Sequence, residues 1–80
     1  MKLPEIKRLA TQHNLNELKL AEENITNGIE PNITVNGEDE GEKLTHVLGA
    51  IDVITIMQQN NVELPVALRK FSERVRNSIS

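Results

Sequence analysis

The chain has 80 residues, a net charge of −3, no cysteine and a single aromatic residue, Phe71. The missing cysteines exclude disulfides, thiolate metal sites and cysteine nucleophiles. One aromatic argues against a base-stacking platform and an aromatic-lined ligand pocket, and the acidic balance argues against nonspecific phosphate binding.

A chain of this length makes one domain, residues 1–80, with a small core. Helix pairing or self-association is the expected supplement to such a core. The opening Met1-Lys2-Leu3-Pro4-Glu5 has no apolar signal core, and no run approaches the ~20 apolar residues of a membrane span. Together with the absence of cysteine, this predicts a soluble cytoplasmic protein without membrane association. Asn24-Ile25-Thr26 and Asn32-Ile33-Thr34 match the glycosylation pattern, but without a secretion signal they are chance matches.

Pro4 suits the first turn of a helix, where its missing N–H costs nothing. Leu3, Ile6, Leu9, Ala10 and His13 then recur on one side at helical spacing. Asn14 or Asn16 breaks this pattern, since asparagine both caps and tolerates the left-handed conformation. A second helix is expected from about Asn16 to Asn27, with a stripe of Leu15, Leu18, Ala21 and Ile25 and a stop at Asn27-Gly28. Leu20 falls on its opposite side.

Residues 28–37 are the least helical part. Pro31 interrupts, Ile33-Thr34-Val35 has strand propensity, and Asn36-Gly37 signals a turn. An extended connector is expected, with at most one short strand. No second apolar β run exists within the chain for that strand to pair with.

The third helix is expected over about 39–60. Its acidic start, Glu38-Asp39-Glu40-Gly41-Glu42, opposes the positive end of the helix dipole. At 100° per residue it carries two apolar stripes. Leu44, Val47, Leu48, Ile51 and Ile54 form the first, which is assigned to the core, with Ile51 as its most sensitive position. Ala50, Val53 and Met57, with His46 among them, form the second, which is left over for an interface. Asn60-Asn61 ends this helix, and Leu64-Pro65 opens a fourth. There Leu64, Ala67, Leu68, Phe71, Val75 and Ile79 face one way, and Arg69, Lys70, Arg74 and Arg76 the other.

Three patterns invite chemistry. Asn36, Glu38, Glu40 and Gly41 fall at the first, third, fifth and sixth positions of a calcium loop. The twelfth is Val47, where a bidentate glutamate is required, so the match fails and a solvated helix N-terminus is expected instead. His46 could act as base, ligand or pH switch, but no nucleophile or second ligand accompanies it at a useful spacing. It reads as a packed histidine held by a carboxylate, with Glu42 one turn earlier as the candidate. His13, at the end of the first helix, reads as structural too. The cations of the fourth helix could meet phosphate, but Glu73 divides them and they spread over a wide arc. The four glycines match no nucleotide-binding pattern.

Met1-Lys2-Leu3-Pro4-Glu5-Ile6-Lys7, Gly41-Glu42-Lys43-Leu44-Thr45 and the closing Ala67-Leu68-Arg69-Lys70-Phe71, with Val75 and Ser78-Ile79, carry a resemblance. In these segments the chain resembles a set of short bacterial proteins of unknown function that begin Met-Lys-Leu-Pro. The resemblance covers both ends and the long helix. It implies a compact helical cytoplasmic protein and brings no assigned activity.

The sequence thus predicts an all-α, four-helix arrangement around one long central helix, with an extended connector at 28–37. The function expected is a non-catalytic protein–protein interaction module acting as a homodimer. Its expected interface is Leu20, His46, Ala50, Val53 and Met57, with no catalytic residue, metal or cofactor. The alternative is a nucleic-acid-associated accessory protein using Arg69, Lys70, Arg74 and Arg76, with nucleic acid the less favoured partner. A small enzyme around His46 ranks third.

Overall fold

A computed structural model describes residues 1–79, with the side chains of residues 1–77. It is all-helical, with α1 Leu3–Gln12, α2 Leu15–Thr26, α3 Glu40–Asn60 and α4 Leu64–Ile79. No strand occurs among the described residues. α3 is the hub, and α1, α2 and α4 each pack on it.

The boundaries follow local chemistry. Pro4 sits in the first turn of α1. Asn14 caps α2 in a reciprocal box. Its side chain accepts from Glu17 N–H at 2.8 Å, and Glu17 Oε1 accepts from Asn14 N–H at 3.1 Å. Gly28, with φ of +72°, ends α2 in the left-handed conformation that glycine adopts freely. Asp39 caps α3 by accepting from Glu42 N–H at 2.8 Å. Asn61 closes that helix at φ of +52°.

The core is Ile6, Leu9, Leu18, Ala21, Ile25, Val35, Val47, Ala50, Val53, Ile56, Ala67 and Phe71. This corrects the expected division of α3. Ala50 and Val53, expected at an interface, are fully buried within the chain, while Leu48 is 42% exposed. Leu44, Ile51, Ile54 and Met57 are only partly buried against the core. The reason is steric. A Cβ added to Gly49 would meet Ile6 Cδ1 at 2.7 Å and Phe71 Cζ at 3.1 Å. α1 and α4 therefore close onto α3 at Gly49, and the buried face of α3 runs through His46, Val47, Gly49, Ala50, Val53 and Ile56.

The connector forms no strand because its polar groups find side chains instead of a ladder. Arg8 Nη2 donates to Thr34 O at 2.8 Å, and Asn36 N–H donates to Glu5 Oε2 at 2.9 Å. Between these two anchors Val35 is buried in the core. A Cβ on Gly37 would lie 2.8 Å from Lys43 Cγ and 2.9 Å from Lys43 N. The connector can cross the start of α3 this closely only with a glycine there.

Candidate functional site

His46 stands in the second turn of α3 and is 1% exposed. Its Nδ1 lies 2.8 Å from Asn36 O, and Lys2 N–H donates to its Nε2 at 2.9 Å. A backbone carbonyl can only accept and a backbone N–H can only donate. These partners therefore assign the neutral Nδ1–H tautomer, in which the Nε2 lone pair is already used. The ring ties the chain before α1 to the end of the connector. Neither nitrogen is available to take a proton from a substrate or to bind a metal.

The expected carboxylate partner of this histidine is engaged elsewhere. Glu42 Oε1 accepts from Glu38 N–H at 2.9 Å, and Glu42 Oε2 lies 3.6 Å from the Met1 nitrogen. The Glu38 hydrogen bond is the largest cause holding the Glu42 carboxyl below the ordinary carboxylate range. His13 caps the end of α1, with Nδ1 3.5 Å from Glu17 Oε2.

Beside His46 lies a carboxylate that the sequence reading passed over. Glu5 is 8% exposed. Arg8 grips it through Nε at 2.9 Å and Nη2 at 2.6 Å, and Asn36 adds its backbone N–H at 2.9 Å and its Nδ2 at 3.1 Å. These four donors saturate the carboxylate. The Arg8 hydrogen bonds lead in holding its carboxyl down at about 2, against the opposing effect of burial, and both Asn36 bonds assist. The Glu5 carboxylate in turn raises the Arg8 guanidinium. Glu5 and Arg8 stand three apart on one helix face, a spacing visible in the sequence. No local signal points to Asn36 as the residue that joins this pair to His46.

The other sequence-derived candidates do not converge. Leu20 is 46% exposed on α2, pointing away from the core. His46, Ala50 and Val53 are buried and Met57 is half-buried, so the five expected interface residues form no common surface. Arg69, Lys70, Arg74 and Arg76 are exposed along α4, and Arg74 is engaged by a partner within the chain. Glu40 pairs with Lys43 at 3.8 Å, and so neither it nor Glu42 is reserved for the α4 cations. Among the described residues, no group of three or more histidines, aspartates or glutamates is placed to hold a metal ion.

The geometry is that of a structural latch, in which Glu5, Asn36 and His46 join the start of the chain, the connector and α3. The chain belongs to DUF6952, a family of unknown function. The family model matches residues 1–80. No curated protein and no solved structure matches the chain. Membership places the latch and the exposed face of α3 in a family without an assigned activity. Among the described residues, no helix of this family member is long and apolar enough to cross a membrane.

Proposed function

We propose that this protein is a non-catalytic interaction module that works as a homodimer. The observation that carries the reading is Leu48, 42% exposed in the middle of a helix that the rest of the chain surrounds. An exposed leucine alone is ordinary. Here it stands between the half-buried Leu44 and Ile51 on the outward side of α3, beside a shallow groove floored by Phe71 and Val75. Grouped apolar exposure of this kind marks contact surfaces. The commitment of both His46 nitrogens and of the whole Glu5 carboxylate supports a role without proton chemistry. The cysteine-free composition supports a reducing compartment, the cytoplasm.

Sedimentation equilibrium over a concentration series tests the reading. The expected result is a mass rising toward twice 9.0 kDa as concentration enters the hundreds of micromolar. A monomer throughout the series overturns it.

A further inference from the structure

We propose that Asn36-Gly37 is a deamidation site, guarded by the latch while it is closed, whose reaction prevents the latch from closing again. The inference is independent of the homodimer reading. Asparagine followed by glycine favours this chemistry, because glycine has no Cβ to shield its nitrogen from the neighbouring side chain. The Gly37 nitrogen attacks Asn36 Cγ and an N–C bond forms. The Cγ–Nδ2 bond breaks, and Nδ2 leaves as ammonia with the proton of the Gly37 N–H. Water then opens the cyclic imide at either carbonyl, leaving aspartate or isoaspartate at position 36. Asn36 is exposed, so water reaches it.

The closed latch holds both reacting groups. Ring closure needs the Asn36 side chain and the 36–37 peptide to rotate until Cγ meets the Gly37 nitrogen. The side chain is tied through Nδ2, which donates to Glu5 Oε1 at 3.1 Å. The peptide is tied through its carbonyl, since Asn36 O accepts from His46 Nδ1 at 2.8 Å. That carbonyl and the attacking nitrogen share one rigid plane, so His46 fixes the nucleophile through its own peptide. Gly37 also has little room to turn, because Lys43 Cγ lies 2.8 Å from the place of an added Cβ. Reaction therefore waits for local opening of the latch.

The product cannot restore the contact. Glu5 Oε1 loses its Nδ2 donor and faces a carboxylate, and like charges this close repel. Isoaspartate also lengthens the main chain by one carbon, where Gly37 passes close to Lys43 N. Opening is thus made one-way. The second such pair, Asn27-Gly28, lies outside the latch at the end of α2, where Gly28 N–H donates to Ile25 O at 3.1 Å.

The full chain is incubated in mildly alkaline buffer, folded or in urea. Peptide mass spectrometry then follows the exchange of –NH2 for –OH at each asparagine. Asn36 is expected to react roughly tenfold or more slowly in the folded chain than in urea. Equal rates overturn the guarding role. Asn36→Asp reproduces one product and is expected to lower the urea midpoint at neutral pH. Adding Glu5→Gln to Asn36→Asp removes the facing charge and supplies an amide donor, so it should recover at least half of that loss. The recovery is readable even where Asn36→Asp alone does not fold. An Asn36→Asp chain as stable as the parent, or a double variant no more stable than Asn36→Asp alone, overturns the one-way latch.

Discussion

The His46 ring reaches back ten residues, placing Nδ1 2.8 Å from Asn36 O, while its Nε2 takes the Lys2 N–H. One buried side chain thus holds two segments that lack regular structure. Truncating it to alanine opens a cavity and strands two backbone groups. His46→Ala is therefore expected to cost about 2–4 kcal/mol, which the midpoint of urea unfolding will report. A loss below about half a kcal/mol would show that the two backbone groups gain little from the ring.

Glu5 makes stability depend on pH in acid. Its carboxyl is held at about 2 when folded, below the ordinary 4.5, so the unfolded chain takes up the proton first. Its contribution is complete above about pH 4.5 and is lost as pH falls from there toward 2. The difference corresponds to about 3 kcal/mol. Glu5→Gln should lower stability at neutral pH and flatten the decline between pH 4.5 and 2. A Glu5→Gln curve parallel to that of the parent chain would show that the Arg8 and Asn36 bonds contribute nothing.

Two glycines of α3 should respond to alanine with opposite signs. Gly41 is exposed, and an added Cβ comes no nearer than 3.4 Å to Asp39 Oδ1. Gly41→Ala should gain about 0.5–1 kcal/mol of helix propensity. At Gly49 the same gain is opposed by Ile6 at 2.7 Å and Phe71 at 3.1 Å, where overpacking costs about 1–3 kcal/mol. Gly49→Ala should therefore destabilise the fold, and thermal melts of the two variants measure the contrast. Equal shifts would mean that α1 and α4 do not close on Gly49.

Ile56 and Ile51 separate the core face of α3 from its outer edge. Ile56 is buried and Ile51 is half-buried. Ile56→Ala should cost about 2–5 kcal/mol, a large part of the roughly 5–15 kcal/mol available to a small domain. Ile51→Ala should cost about half as much or less and act mainly on self-association. Chemical denaturation of dilute samples checks the order. The reverse order would restore the stripe that periodicity alone assigns to the core.

Helix number and limits were legible because they rest on local chemistry. Pro4, the asparagine at 14 or 16, Asn27-Gly28, Asp39 and Asn60-Asn61 act within a few residues, where backbone preferences and capping decide the outcome, and the box with Glu17 settles that Asn14 is the cap. The four-helix class and the non-helical connector follow from these signals. The face of α3 that turns inward does not. α3 is apolar over most of its circumference, so periodicity cannot rank one stripe above the other. Tertiary packing ranks them, because Gly49 lets Ile6 of α1 and Phe71 of α4 approach where a larger side chain would hold them off. The latch was hidden for a related reason. Glu5, Asn36 and His46 lie 31 and 10 residues apart in sequence. Only the folded chain brings the backbone groups of the connector within reach of side chains that replace a missing strand partner.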